Sequence, residues 1–337
     1  MSTSDVTASG IRTLSYRDAL NEALHEEMDR DPATFVIGED VGRHGGVLQV
    51  TKGLRERFGP GRVRDTPISE AGIVGVGVGA ALTGSRPIVE IMYIDFTLLA
   101  ADQIVNQAAK ARYMFGGKAR VPLVIRTQGG AGRGNAAQHS QSLEAFYAHI
   151  PGLVVVQPST PADAKGLLKS AIRDDNPTIF IEHKLLYNTN GPVPEGEHLV
   201  PLGEADVKRL GSDVTVIATS RQVVFALEAA QQLAAEGISV EVVDPRTIRP
   251  LDIDAIVLSV RKTGRVVVVN EAARTGGLTS EIAARIMDEA FWYLDAPVVR
   301  VAAADVPIPY SEALELEAIP GTADIVAGVR RVLTEEP

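Results

Sequence analysis

Short apolar runs alternate with stretches of helical periodicity along most of this chain, and that alternation limits its fold more than any other feature. Residues 16–29 carry apolar or small side chains at 16, 19, 20, 23, 24 and 28, the spacing of a helix with one buried face. Ser15 can cap that helix, and Pro32 lies just past its end. Residues 34–38 read as a buried strand and 50–58 as a short helix, and an extended segment begins at Val63. A helix over 73–83, a strand over 87–92, a long helix over 96–115 and a strand over 121–125 follow. Beyond a glycine-dense loop at 128–135 come a helix beginning near Gln141, a strand at 153–156, a helix at 162–173 and a strand at 178–182. Alternation of this kind builds βαβ units, whose parallel sheet is covered on both faces.

A chain of 337 residues is too long for one ordinary core, so two domains are expected. Residues 1–14 are polar and small, without a secretory pattern, and read as a loose tail before a first domain at 15–187. Residues 188–210 begin as a Pro- and Gly-rich stretch with little periodicity and read as a linker. Alternation restarts over 211–337, with strands at 214–219, 239–243, 265–269 and 297–301 and helices at 221–236, 252–261, 278–291 and 322–333. The expected fold class is therefore α/β, with two doubly wound domains.

Net charge −10 and a pI near 5.2 argue against a general nucleic-acid binder, which needs a basic face. The run of apolar residues and glycine that takes in 73–82 is too short to span a membrane. With no cysteine, disulfides, thiolate catalysis and Cys-ligated metals are excluded. A cytoplasmic protein without nucleic-acid or membrane partners is expected.

Two residues stand out. Thr66-Pro67 ends the extended segment, because the residue before proline is pushed out of the helical region. Ser69 then occupies an N-cap position, which puts Glu70 in a helix first turn at the end of a strand. There it can face a cleft, or simply complement the helix dipole. His139 follows the glycine-dense loop, between Gln138 and Ser140, and can be a catalyst or a structural hydrogen-bonder. His149 is expected at a helix C-terminus.

Gly75-Val76-Gly77-Val78-Gly79-Ala80 matches a dinucleotide fingerprint letter for letter. Only Ile73 and Val74 separate it from Gly72, so no strand fits before it, as that motif requires. These glycines instead fit a helix that lets another backbone approach closely. The loop at 129–134 lacks the Gly-Lys-Ser/Thr ending of a phosphate-binding loop.

Taken together, several blocks resemble one family. They are Val36-Ile37-Gly38-Glu39-Asp40-Val41-Gly42, Arg64-Asp65-Thr66-Pro67-Ile68-Ser69-Glu70, Arg86-Pro87-Ile88-Val89-Glu90, Asp102-Gln103-Ile104-Val105-Asn106, Ala137-Gln138-His139-Ser140-Gln141-Ser142 and Asp163-Ala164-Lys165-Gly166-Leu167-Leu168. Val243-Asp244-Pro245-Arg246-Thr247, Tyr293-Leu294-Asp295-Ala296-Pro297 and Asp305-Val306-Pro307-Ile308-Pro309-Tyr310 continue the likeness, which covers nearly all of residues 12–333. Together they resemble the beta subunit of the thiamine-dependent decarboxylating component of 2-oxo acid dehydrogenase complexes.

The resemblance implies a thiamine-diphosphate-binding (pyrimidine) domain followed by a transketolase C-terminal-like domain. It implies that Glu70 bonds the aminopyrimidine nitrogen of thiamine diphosphate, favouring the imino tautomer that takes the proton from the thiazolium carbon. Met92 and Phe96 match positions packing against the pyrimidine, and Glu39 an acid of the channel linking paired active sites. His139 matches the active-site histidine that positions the 2-oxo acid or aids acyl transfer to a lipoyl arm. Leu123, Ala171, Ile172, Asp174 and Asn176 match a potassium site built mostly from backbone carbonyls; Asp174 and Asn176 also suit an ordinary turn before Pro177.

Nowhere does Gly-Asp-Gly with a downstream Asn occur, the element that holds magnesium and diphosphate in this superfamily. The resemblance thus implies half a cofactor site, an alpha subunit bringing magnesium, and a heterotetramer of two alpha and two beta chains. The C-terminal domain is expected to dock the dihydrolipoamide acyltransferase core, whose binding domain is typically basic. Pyruvate is the expected substrate, with acetoin as the alternative and a branched-chain 2-oxo acid next. Branched-chain relatives tend to carry a second histidine where this chain has Gln138. A non-catalytic scaffold is the reading from a different class.

Overall fold

In the computed structural model, which describes residues 10–334, β1 (Ile11–Ser15) leads into α1 (Tyr16–Arg30). The Ser15 hydroxyl accepts the Asp18 amide at 3.1 Å, so the cap expected there is made. β2 (Thr34–Gly38), a short α2 (Leu54–Phe58), β3 (Val63–Asp65), α3 (Glu70–Leu82) and β4 (Arg86–Ile91) follow. After a 3-10 segment (Ile94–Ala100) and a π-helical segment (Gln103–Ala108) come α4 (Ala109–Met114), β5 (Val124–Gly129) and α5 (Glu144–Ala148). The first half closes with β6 (Val154–Val156), α6 (Pro161–Arg173), β7 (Thr178–His183) and β8 (Asn190–Pro194). Then follow β9 (Asp206–Arg209), β10 (Val214–Ala218), α7 (Gln222–Ala234), β11 (Val240–Asp244), β12 (Thr247–Arg249) and α8 (Ile253–Thr263). β13 (Val266–Ala273), α9 (Leu278–Ala290), β14 (Val299–Ala303), α10 (Glu312–Ala318) and α11 (Thr322–Thr334) are the last elements among the described residues.

The expected α/β architecture is present. One sheet has the order β12-β6-β7-β5-β4-β2-β3, the other β14-β13-β10-β11-β9. Within these two sheets pairing is parallel except at β12 and β9, which join antiparallel. The face of the larger sheet carrying Ile88, Val124 and Phe180 packs with α1 and α6. Its other face shares one continuous core with α3, α8 and α9, so the two sheets meet through common apolar packing. α7 and α11 cover the far face of the smaller sheet.

Several local expectations are corrected. Of the stretch read as a loose tail, residues 1–9 lie outside the described residues, while Ile11–Ser15 pairs antiparallel with β8 inside the stretch read as a linker. Such a ribbon, mostly solvent-facing, shows no apolar alternation to read. Residues 96–115 are not one α-helix but 3-10, π and α segments, which periodicity cannot separate over so few turns. β5 starts after Pro122 and runs to Gly129, because Arg126, Thr127 and Gln128 are buried in the sheet rather than solvated. α2 is confined to Leu54–Phe58. The Ser69 hydroxyl does not cap α3. A β-carbon on Gly77 would meet Val89 Cγ2 at 2.6 Å, so the close approach in α3 is to side chains and not to a backbone.

Arg126 is fully buried and joins three adjacent strands. Its Nη1 donates to Glu90 on β4 at 2.7 Å, and its Nε and Nη2 donate to Glu182 on β7 at 2.7 and 2.8 Å. Burial opposes the charge on Arg126, but Glu182 and Glu90 more than offset it and raise its pKa. Burial likewise raises Glu90 against the pull of Arg126. Removing one member of such a cluster leaves buried charge unpaired, so Arg126→Met should lower the unfolding free energy by about 3–5 kcal/mol in chemical denaturation. A loss under about 1 kcal/mol would show that the cluster does not hold the sheet.

Candidate active site

The candidate catalytic and cofactor-binding residues of the first domain lie where its parallel strands end. Glu39 follows β2, Glu70 opens α3 after β3, Met92 follows β4 and His139 lies beyond β5. The crevice at the carboxyl ends of such strands is where open α/β sheets bind ligands.

Glu70 is 9% exposed, and its carboxylate takes no hydrogen bond or ion pair from any described residue. Its neighbour is another acid. Burial, then the charges of Glu70 and Asp40, raise the pKa of Glu39. A mostly buried carboxylate facing a second acid lacks the donor that would stabilise it, so it suits a ligand that brings one. That is the fit expected of an aminopyrimidine. Met92 and Phe96 are half-buried, which leaves apolar surface for a flat ring.

His139 ends a 3-10 turn, Ala137–His139, and is half-buried. Its ring meets Tyr93 edge-on at 4.9 Å and Phe96 at 5.2 Å between centroids. The expected helix near Gln141 begins only at Glu144, because the amide and side chain of Gln141 are bound to Asp95 Oδ1 at 3.3 and 2.9 Å. Tyr93 (φ +64°) and Ala136 (φ +59°) both adopt a backbone region that non-glycine residues seldom occupy. His149 caps the C-terminus of α5, as expected.

Sequence reading missed Tyr93 and Lys184. Lys184 is 4% exposed, donates through Nζ to the His139 carbonyl and lies 5.2 Å from the centre of the Tyr93 ring. Tyr93 sits next to Met92, and Lys184 is the first residue past β7, so position at a strand end was the available signal. Burial lowers the Lys184 pKa to about 8, against the opposing pull of Asp95, Glu271 and Glu315 and with some help from Arg133.

The residues read as a potassium site are elsewhere. Leu123 precedes β5 and Asp174 and Asn176 precede β7, at the opposite edge of the sheet. The carbonyls of Ile172 and Asp174 accept from Arg86 at 2.8 and 2.6 Å, and that of Leu123 accepts the Thr178 amide at 2.8 Å. Asn176 Oδ1 accepts from Arg112 at 2.6 Å. Three of these oxygens, on Ile172, Asp174 and Asn176, are already met by guanidinium groups, so an ion would have to share them with fixed positive charge.

Comparison with known proteins agrees with this geometry. Residues 12–190 match the model of the transketolase pyrimidine binding domain, and 203–325 that of the transketolase C-terminal domain. The chain is 50% identical to the pyruvate dehydrogenase E1 component subunit beta-1, mitochondrial, of Arabidopsis thaliana, over 96% of this chain and 90% of that protein. It is 49% identical to the acetoin:2,6-dichlorophenolindophenol oxidoreductase subunit beta of Bacillus subtilis, over 97% of this chain and 98% of that one. A split-gene transketolase solved as an inactive beta4 tetramer superposes with a TM-score of 0.79 at 26% identity, over 96% of this chain and 99% of that one.

The low pKa of Lys184 has a measurable consequence. An unfolded lysine keeps its proton to about pH 10.4, so between about pH 8 and that value the unfolded chain binds more protons and stability rises with pH. Denaturation of wild type and Lys184→Met should show the wild type gaining on the variant across this window. A constant difference would mean that Lys184 titrates as a surface lysine does.

Proposed function

This chain belongs to the transketolase-like family of beta subunits that includes those of pyruvate and acetoin dehydrogenases, and on that premise we propose that it works on pyruvate with thiamine diphosphate and an alpha subunit. It is an oxidoreductase of the pyruvate dehydrogenase type, and its partner alpha subunit follows from the kinship. The unpartnered Glu70 carboxylate at the strand ends carries the reading to these residues.

When bound, thiamine diphosphate supplies the carbon nucleophile and electron sink for decarboxylating a 2-oxo acid. Glu70 holds a proton at the aminopyrimidine nitrogen, and its removal from bulk water strengthens that bond. Met92 and Phe96 pack on the ring and exclude water. Glu39, beside Glu70, keeps negative charge near the ring and belongs to the path between paired sites. His139, held edge-on by Tyr93 and Phe96, presents a ring nitrogen to the substrate or the lipoyl arm.

The alpha subunit brings magnesium and the diphosphate contacts, since no Gly-Asp-Gly element with its Asn is present here. Two alpha and two beta chains form the working heterotetramer. The outer side of α3 exposes Ala71, Gly72, Val76 and Gly79, which suits close contact with another chain. The inactive state of the split transketolase's beta4 tetramer is in keeping with a beta chain that needs its partner. The second domain docks the acyltransferase core; an apolar patch at Phe291, Trp292 and Tyr293, with Trp292 90% exposed, supports a docking role. The cytoplasm remains the proposed location.

Co-expression with an alpha-subunit candidate, followed by turnover with an artificial electron acceptor, tests the reaction. Pyruvate should be the preferred substrate over acetoin and branched 2-oxo acids, with dependence on thiamine diphosphate and magnesium. Preference for acetoin would move the chain to its other group of relatives. Glu70→Gln should assemble normally yet lose about 100-fold or more in turnover; full activity would sink the assigned role, and a wild-type complex inert on every substrate would favour a scaffold. For potassium, replacing NaCl by KCl should raise the melting temperature if the ion shares the carbonyls with Arg86. Superimposable curves would leave the guanidinium as the sole cation there.

A further inference from the structure

The loop that carries His139 is held within itself by few bonds: the Gly130 amide donates to the Gln141 carbonyl at 3.1 Å and the His139 amide to that of Ala136 at 3.3 Å. Gly130, Gly132, Gly134 and Ala136 all have positive φ, at +88, +96, +63 and +59°. No strand or helix takes up its amides between β5 and the 3-10 turn at Ala137. Instead, the amides of Gly132 and Gly134 donate to Glu315 Oε1 and Oε2 at 2.7 and 2.8 Å. The Ala131 amide donates to Glu271 Oε1 at 2.6 Å, and Glu271 also meets His183 Nε2 at 3.0 Å. Both acids come from the second domain, Glu271 from β13 and Glu315 from α10. Glu315 is fully buried, and Lys184 and Arg221 both feel its charge.

We infer that Glu315 is a positioning residue for His139, fixing the start of its loop from the second domain while Lys184 holds the His139 carbonyl at the other end. The inference rests on His139 being an active-site residue. One carboxylate bridging two amides two residues apart fixes the path of the backbone between them, a constraint no apolar side chain at 315 could supply. The loop then delivers His139 against Tyr93 and Phe96 only while the two domains keep their present contact. Arg133, exposed between the two bound amides, is a built-in reporter of that constraint.

The test uses the full chain, alone and assembled with its alpha subunit. Glu315→Gln keeps the shape but replaces one acceptor by a donor facing an amide. Trypsin should cleave after Arg133 about tenfold faster in this variant than in wild type or in Glu312→Gln, a change at an exposed site on the same helix. In the assembled enzyme kcat should fall about tenfold, because a small displacement of a positioned group has effects of this size. In a His139→Ala background the same change should cost nothing further. An equal loss in both backgrounds, or unchanged cleavage and kcat, overturns the proposal. If His139→Ala itself turns over normally, the assignment of His139 fails while the cleavage assay still decides the clamp. Should Glu315→Gln not fold, hydrogen exchange on the wild type decides it: Gly132 and Gly134 amides should exchange as slowly as those of β5, and rapid exchange overturns the clamp.

Discussion

Three strands of the larger sheet are registered by one buried charge. Arg126 on β5 lies beside Glu90 on β4 and reaches Glu182 on β7. Side chains alternate faces along a strand, so a slip of one residue would carry Arg126 to the opposite face, away from both carboxylates. Glu182 also accepts the Tyr187 hydroxyl, and Tyr187 packs edge-on against Tyr16 of α1, with ring centroids 5.9 Å apart. The ion cluster therefore ties the middle of the sheet to the helix layer that covers it.

The site lies a few residues further along the same strands. Met92 and Tyr93 follow Glu90, the glycine loop follows β5, and His183 and Lys184 follow Glu182. Any error of register beneath would misplace all of them together. The buried cluster has its charges paired, while Glu70 takes no bond from any described residue. The contrast is physically sensible: a satisfied network below gives rigidity, and an unsatisfied carboxylate at the crevice leaves bonding capacity for a ligand.

The two domains do not merely adjoin. β12, from the second half of the chain, adds to the edge of the first sheet beside β6, and the apolar core runs unbroken between the sheets. Asp163 of α6 holds Lys208 and Arg246 at 2.5 and 3.2 Å, while Ser159 donates to the buried Asp244. Against this fixed contact, the acids of β13 and α10 can reach the glycine loop and remain there.

Sequence alone determined the alternation of strands and helices, the division of the chain into two α/β halves, and the stations of Glu70 and His139, because burial leaves periodic marks over a few residues and Pro and Gly mark where elements end. It misread 96–115 and the extent of β5, where the deciding facts were turns of unequal pitch and a buried Arg126. Family likeness supplied roles for Met92, Phe96 and Glu39 that local pattern would have given to the core or the solvent. Only the tertiary structure set the Arg86 guanidinium on the carbonyls of Ile172 and Asp174, joined Lys184 to His139, and brought Glu315 to Gly132 and Gly134. Those contacts join residues about 45 to 183 positions apart, and no periodicity over a few turns can encode a partner at such a distance.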